Sequence, residues 1–418
     1  MSNNYKFTFV DLFAGIGGFR IPCEALGGKC LAFAENSKSA ISIYNENFSQ
    51  TPNLGNVQRF TKINSDKPID LITAGVPCQA WSIAGKKKGF KDPRGRLWFS
   101  TINIIKENKP KVFIIENVAG LSDPRNEGNL KQIKDLFSEI GYKFKIFELS
   151  ARDFGLVQDR SRVFIIGFKD NTYLKKIKSI AGLESKPTIE NLLFGLNTKD
   201  ENPSFPHVFR FTDVRKGIHS WNLIKTTKAE KAFCEFFIKA RVNLAYKLYG
   251  KRDRPLSLED IKENYPNFSK EVFESLLEKD ILRKIDKDGV ILYDFKKSRN
   301  GGGLNINNKQ VLRVYSLHST YWPTITFTRN IDYFLTDYIP KSRTIKSYNN
   351  NFMKHIISKN RFRMPTQIEK LKLQGFPEDF KTYTVSNSVA ENHIGNAVPP
   401  PVVLNILKAT IKTGVFDI

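Results

Sequence analysis

Asp11-Leu12-Phe13-Ala14-Gly15-Ile16-Gly17-Gly18 decides the fold, because an apolar strand, Lys6 to Phe13, runs straight into a glycine-rich turn. Such a turn between a strand and a helix exposes backbone N–H groups and admits a cofactor at close range. A second strand, Lys29 to Ala34, ends at Glu35, about 20 residues past Gly15, where a carboxylate suits ribose hydroxyls. A dinucleotide fingerprint would place its third glycine at position 20, which is Arg20, so a nicotinamide dehydrogenase is disfavoured. Glu35 alone equally suits an exposed carboxylate at the start of the next helix.

The rhythm repeats along the first 170 residues. A helical stretch, Ser37 to Phe48, precedes the strand Ile69 to Ala74, which ends in Gly75-Val76-Pro77-Cys78-Gln79-Ala80-Trp81-Ser82. Open α/β sheets do chemistry at strand ends; Pro77 stiffens this turn and Gly75 permits close approach. Cys78 is therefore a candidate nucleophile, although a lone free cysteine is more commonly a small core residue. A helix over Leu97 to Glu107 leads to the strand Val112 to Ile115 and then Glu116-Asn117-Val118, where burial would raise the carboxyl pKa and suit it to proton donation. A helix, Leu130 to Ile140, and a strand, Tyr142 to Leu149, follow. In an extended Gln158-Asp159-Arg160-Ser161-Arg162, the side chains of Gln158, Arg160 and Arg162 share one face and could meet an anion or a base edge. The alternation implies an α/β fold, a mostly parallel sheet with helices on both faces.

Composition narrows the partner. Lys plus Arg minus Asp plus Glu is 66 − 42 = +24 over 418 residues, with 40% hydrophobic residues and 33 Phe. That is a folded chain whose charge favours a polyanion, nucleic acid ahead of an acidic membrane surface. No apolar run approaches the roughly 20 residues that span a bilayer, and Met1 to Lys6 lacks a signal-peptide core. Four cysteines, Cys23, Cys30, Cys78 and Cys234, show no metal-ligand spacing, which fits a reduced cytoplasmic protein with no metal site.

From about residue 190 to 345 the alternation lapses and Lys, Arg and Asn increase, so this stretch reads as a separate lobe. Within it, Leu256 to Asn264 and Ser269 to Lys279 read as two helices, followed by a hairpin, Ile281 to Phe295, turning at Asp288-Gly289. Two helices and a wing suggest a winged-helix-like insert at 256–295; an ordinary helical excursion fits equally. If the insert binds DNA, Lys270, Lys279 and Arg283 are the expected phosphate contacts. Thr324 and Thr326, in Tyr321 to Phe327, suit contacts to bases or phosphates, or an ordinary edge strand. A helix starting within Arg363 to Glu369 stops at Gly375, and the prolines after Gly395-Asn396 feed a last helix, Val402 to Ile411, that returns to the sheet.

Taken together, the motifs resemble the DNA (cytosine-5) methyltransferases, especially those of bacterial restriction–modification systems. They occur in family order: DLFAGIGG at Asp11 to Gly18, GVPCQAWS at Gly75 to Ser82, DPRGRLWF at Asp92 to Phe99, ENV at Glu116 to Val118, QDRSR at Gln158 to Arg162, RMPTQIEKLKLQGFP at Arg363 to Pro377, and GNAVPPPVV at Gly395 to Val403. The resemblance implies a Rossmann-like S-adenosylmethionine-dependent catalytic domain, 1–190, completed by 346–418, with a smaller target-recognition domain, 191–345, inserted between. It makes Cys78 the nucleophile toward cytosine carbon 6, Glu116 the acid at ring nitrogen 3, and Arg162, with Arg160, the groups that orient the base. S-adenosylmethionine would meet Phe13, Gly15, Gly17, Glu35, Asn56, Pro77 and Asn396. Two positions depart from the family pattern: Asn36 replaces an aromatic that often stacks on adenine, and Asn56 replaces an aspartate. Lys86, Lys87 and Lys88 fall in the family's mobile loop and, with Arg94, would touch DNA; Gln79 and Ser82 would contact the base or fill the space it vacates. The target cytosine must leave the duplex for this chemistry.

The implied substrate is double-stranded DNA, acted on by a cytoplasmic monomer with no membrane partner, alongside a separately acting restriction endonuclease. Competing readings are an RNA cytosine-5 methyltransferase of the same fold and a catalytically silent DNA-binding relative, against which Cys78, Glu116 and Arg162 speak.

Overall fold

The computed structural model describes residues 5–48, 51–77, 97–122, 127–183, 187–194, 208–212, 226–249, 255–279, 281–287, 289–295, 311–325, 332–337, 339–359 and 361–417. The chain forms two compact units: Met1–Val208 with Val314–Ile418, and Phe209–Arg313.

The first unit is built on a six-stranded sheet. Its strands are β1 (Phe7–Leu12), β2 (Gly28–Ala34), β3 (Leu71–Gly75), β4 (Val112–Val118), β5 (Lys143–Ser150) and, after a two-residue β6 (Gln158–Asp159), β7 (Ser161–Phe168). Their order is β2-β1-β3-β4-β7-β5. β1 pairs in parallel with β2 and β3, and β3 with β4, whereas β7 is antiparallel to both β4 and β5. The connections explain this change of direction. Helices α1 (Arg20–Ala25), α2 (Lys38–Asn47), α3 (Leu97–Asn108) and α4 (Glu127–Glu139) lie between the parallel strands, while β5 reaches β7 without a long helix.

Side chains alternate across the pleat into two cores. Leu12, Ile72, Ala74, Phe113 and Ile115 face α3 and α4, packing on Trp98, Ile105, Ile133 and Phe137. Phe7, Phe9, Leu71, Val112 and Ile114 face the other way. They meet α5 (Asn171–Lys176) through Leu174 and the last helix through Val402, Val403 and Ile406. α6 (Ile189–Phe194) also belongs to this unit: Ile189 N and Glu190 N donate to Ser319 O and Leu317 O. The compact inserted unit is therefore narrower than 191–345, its limits falling in the short strands β8 (Val208–Thr212) and β12 (Val311–Tyr315).

Within the second unit, α7 (Lys228–Tyr249) buries Phe233, Cys234, Phe237, Ala240 and Arg241, a helical stripe that the sequence reading passed over. After it come β9 (Leu256–Ser257), α8 (Leu258–Asn264), α9 (Lys270–Glu278) and the hairpin β10 (Leu282–Lys287) and β11 (Val290–Phe295). β11 pairs antiparallel with both β10 and β9. Ser257 and Ser269 cap the two helices through backbone N–H groups, and Gly289, at φ 84°, turns the hairpin. Two of the expected phosphate contacts also pair with carboxylates of the same unit. Lys279 lies 2.6 Å from buried Glu230, and Arg283 lies 3.6 Å from Asp294, which also holds Arg241 at 2.8 Å. Desolvated carboxylates draw these cations inward, and Lys270 stays at the surface.

Downstream, β13 (Trp322–Pro323) pairs with β6, and β14 (Asp332–Leu335) with β15 (Phe362–Arg363). α10 (Ile345–Asn351) leads into a π-helical turn, and α11 (Gln367–Gln374) opens on a Thr366–Glu369 capping box and stops at Gly375 in the left-handed region. α12 (Asn387–Asn396) and α13 (Pro400–Ile411) complete the unit, with Phe416 stacked on Phe7 at 4.6 Å.

Where the chain returns, contact is at backbone distance: a Cβ on Gly18 would stand 2.4 Å from Val398 O. Gly18→Ala should therefore cost about 1–3 kcal/mol, read as a lower midpoint in urea, since the obstructing atom is main chain. A second test concerns Asp11, fully buried on β1. Thr73 Oγ1 donates to its Oδ1 at 2.8 Å, and Oδ2 has no hydrogen-bond partner. Burial lifts its pKa from 3.8 to about 7 against the pull of Thr73 and Arg20. Below 3.8 the group is protonated folded and unfolded; between 3.8 and 7 the unfolded chain ionises first, which favours unfolding. The melting temperature of Asp11→Asn should thus gain on that of the parent as pH rises to 7, then hold a constant lead.

Candidate active site

The ends of β1, β2, β3 and β4 and the start of β7 surround a cavity of about 590 Å³ in the first unit. Phe13, at φ 53°, and Gly15, at φ 55°, carry the chain off β1 in left-handed conformations; Gly15 has open space where a side chain would be. A Cβ at Gly17 would meet the Phe48 ring at 2.3 Å, so that glycine serves close packing against the residue after α2. Arg20, in place of a third fingerprint glycine, is buried. It binds Glu24 at 2.9 Å and the Tyr44 hydroxyl at 3.2 Å, and sits 4.5 Å from the Phe48 ring centre. It ties α1 to α2 beneath the turn.

Glu35 organises the next wall. Its Oε2 accepts from Gly15 N at 3.0 Å, and its Oε1 from Asn36 N and Ser37 N at 2.8 Å each. A carboxylate offers about four acceptor positions, so a nucleoside hydroxyl still finds one. Asn36 lines the cavity, as do Asn56 and Pro77. Asn56 Oδ1 caps a short 3-10 helix, Val57–Arg59, by accepting from Gln58 N at 2.9 Å. The open space beside Gly15 and Gly55, with the Glu35 carboxylate between them, fits a nucleoside. Asn396 joins the lining from α12 and donates to Asn392 Oδ1.

On the other side stands Glu116, buried at the end of β4, with Oε1 2.9 Å from Arg162 Nε. Burial raises its pKa; the Arg162 and Arg160 charges act in the opposite sense. Cross-strand pairing sets this pair, because β7 runs antiparallel beside β4 and brings Arg162 opposite Val118. Arg160 is also in the lining, but its terminal nitrogens donate to Gly395 O at 2.8 Å and Ala397 O at 2.9 Å, so it holds the returning segment. Gln158 is fully buried, donating to Leu373 O and Gln374 Oε1 and accepting from Ile325 N. Of the three polar side chains expected to share a face, Arg162 forms an ion pair with the Glu116 carboxylate, and Arg160 acts on it through its charge. Thr324 donates its hydroxyl to Asp159 O.

Cys78, Gln79, Ser82, Lys86, Lys87, Lys88, Arg94 and Thr326 lie outside the described residues. Cys23 and Cys30 are buried among apolar side chains, and burial pushes both thiols up, Cys30 to about 12. Cys234 is pushed up to about 12 in the same way. None of these three is a ready thiolate at neutral pH.

Two site residues escaped the sequence reading. Asn117, buried beside Glu116, donates to Val76 O at 3.1 Å and so fixes the turn that leads to Pro77. His393 lines the cavity and shares a 2.8 Å hydrogen bond with Ser39 Oγ. Burial lowers its pKa against the Glu35 charge, keeping the ring neutral at pH 7. Asn117 was signalled by its place after a strand-end carboxyl; His393, 354 positions from Ser39, had no local signal.

Comparison with known proteins identifies the family of the chain. The type II methyltransferase M.HgiBI of Herpetosiphon aurantiacus is 35% identical, covering 99% of this chain and 98% of the relative. M.BanI of Aneurinibacillus aneurinilyticus is 29% identical over 99% and 97%. Among solved structures, the Entamoeba histolytica methyltransferase EhMeth shares the fold with a TM-score of 0.56 at 15% identity, covering 98% of this chain and 99% of that one. The sequence profile of C-5 cytosine-specific DNA methylases matches residues 7–412, and the chain belongs to that family.

Proposed function

We propose that this DNA cytosine-5 methyltransferase works by covalent addition to a flipped cytosine, with Cys78, Glu116 and Arg162 as its working groups. The observation that carries the reading is the buried Glu116–Arg162 pair, 2.9 Å apart, on the cavity that also holds the glycine turn, Glu35 and Pro77. Cytosine carbon 5 is a poor nucleophile until a group adds at carbon 6. The Cys78 thiolate forms that bond, pushing an electron pair toward carbon 5 and ring nitrogen 3. Glu116 donates its proton to nitrogen 3, and its raised pKa keeps that proton in place above the usual carboxyl range. Arg162 fixes the Glu116 carboxyl and balances developing charge. Loss of the carbon-5 proton to water then supplies the electron pair that re-forms the 5,6 double bond and expels the Cys78 sulfur as thiolate, while nitrogen 3 returns its proton to Glu116.

S-adenosylmethionine supplies an electrophilic methyl group when bound. Phe13, Gly15, Glu35, Asn56, Pro77 and Asn396 would hold it, with Gly17 shaping the turn behind them by packing on Phe48. Arg160 and Thr324 act instead through the carbonyls they bind.

The substrate is duplex DNA, and we assign target recognition to the inserted unit, whose helix–strand–helix–helix–hairpin order is that of a winged helix. The exposed residues of α9 are Lys270, Glu271, Glu274 and Glu278, so Lys270 is the cation that helix offers to a phosphate. We further propose that the enzyme acts as a monomer in the cytoplasm and protects host DNA from an endonuclease acting separately. No described helix is long and apolar enough to cross a membrane.

Bisulfite sequencing of DNA incubated with the protein and S-adenosylmethionine should show protected cytosines at one fixed sequence; uniform conversion would overturn the reading. Cys78→Ala should abolish tritiated methyl transfer while DNA binding persists in a gel-shift assay. Glu116→Gln should lower kcat by roughly 10²–10⁴-fold. The parent enzyme should lose kcat as rising pH ionises Glu116, and that alkaline limb should vanish in the Gln variant.

A further inference from the structure

Asn53 lies behind the cavity wall rather than in it, yet its amide joins two segments that form the wall. Its Oδ1 accepts from Glu35 N at 3.1 Å and from Gly55 N at 2.9 Å, while its Nδ2 donates to Glu35 O at 3.0 Å. The main chain runs the same way: Phe33 N donates to Pro52 O, Leu54 N donates to Phe33 O, and Phe33 bridges Asn53 in parallel. Beyond Asn53 the chain turns at Gly55, φ 72°, into the lining residues Asn56, Val57 and Gln58.

We propose that Asn53 is a positioning residue for the cofactor: it sets the spacing between the Glu35 carboxylate and the Gly55–Gln58 turn, the two walls a bound nucleoside must touch together. This rests on the S-adenosylmethionine reading above. The role demands an amide, because the side chain must accept twice and donate once within one short reach. Aspartate keeps both acceptors and loses the donor. Alanine loses all three bonds and leaves main-chain pairing to join the turn to the Glu35 segment. The site is exposed, so water satisfies the freed groups and the global fold persists; what changes is the width of the cavity.

The test is calorimetric binding of S-adenosylhomocysteine to the full chain without DNA, for the parent, Asn53→Ala and Asn53→Asp. Affinity should fall about tenfold in the alanine variant and about threefold in the aspartate variant, as expected for losing several or one modest hydrogen bonds. KM for S-adenosylmethionine should rise in step, while kcat, KM for DNA and the melting temperature of the unliganded protein stay unchanged. If the parent binds and Asn53→Ala binds equally well, the positioning role is overturned and the cofactor reading stands. A joint fall in kcat, DNA affinity and melting temperature would equally overturn it, as general damage. Failure of the parent itself to bind would overturn the cofactor reading, and this role with it.

Discussion

The Arg160 guanidinium, reaching from the strand end before β7 to the carbonyls of Gly395 and Ala397, is the interaction on which the site's completeness depends. A buried cation needs acceptors, and main-chain carbonyls supply them without adding a charge that would disturb Glu116 nearby. The segment so held places His393, Asn396 and Val398 on the cavity. The same segment approaches Gly18 so closely that no side chain fits there. Two distant stretches of chain thus become one wall, and the glycine turn is shaped as much by the returning backbone as by any ligand.

Polar groups around the cavity fall into two kinds. Glu35, Asn53, Asn117, Gln158 and Arg160 bind main-chain groups and give the cavity its shape. Glu116 and Arg162 bind each other, which leaves a carboxyl of raised pKa held in one orientation by a side chain rather than by a rigid backbone group. An arginine fork in a partly buried pair is stiff, yet its partner can change protonation state without any strand moving. Arg160 touches both kinds, since it holds the returning backbone and its charge also acts on Glu116.

The sheet was legible because buried parallel strands read as continuous apolar runs, each ending in a turn with glycine or a carboxyl; Leu71–Gly75 and Val112–Val118 lie where those runs place them. Glu116 and Glu35 were legible for the same reason, as charges at the end of such runs. The partners of Arg160 and Gln158 were not legible, because period-two alternation gives a shared face but not what covers it. Their partners, Gly395 and Gln374, are more than 200 positions away. α7 was passed over although Phe233, Phe237 and Ala240 recur at helical spacing with Glu235 and Lys239 on the opposite, exposed face; Arg241, which sequence alone reads as surface, is buried against Asp294. The inserted unit seemed broader than it is, since composition changes at residue 190 whereas packing changes at 209.

Closure by the returning segment has a consequence in time. Synthesis at 5–20 residues per second separates the emergence of Glu35 from that of His393 by roughly 20–70 s. By the end of that interval the nascent chain carries the glycine turn, the Cys78 motif and the whole inserted unit, but still lacks the wall that Arg160 is built to hold. A growing polypeptide can therefore fold its sheet and its insert while its reaction chamber stays open on one side. Chemical competence therefore waits for α12 and α13 to dock.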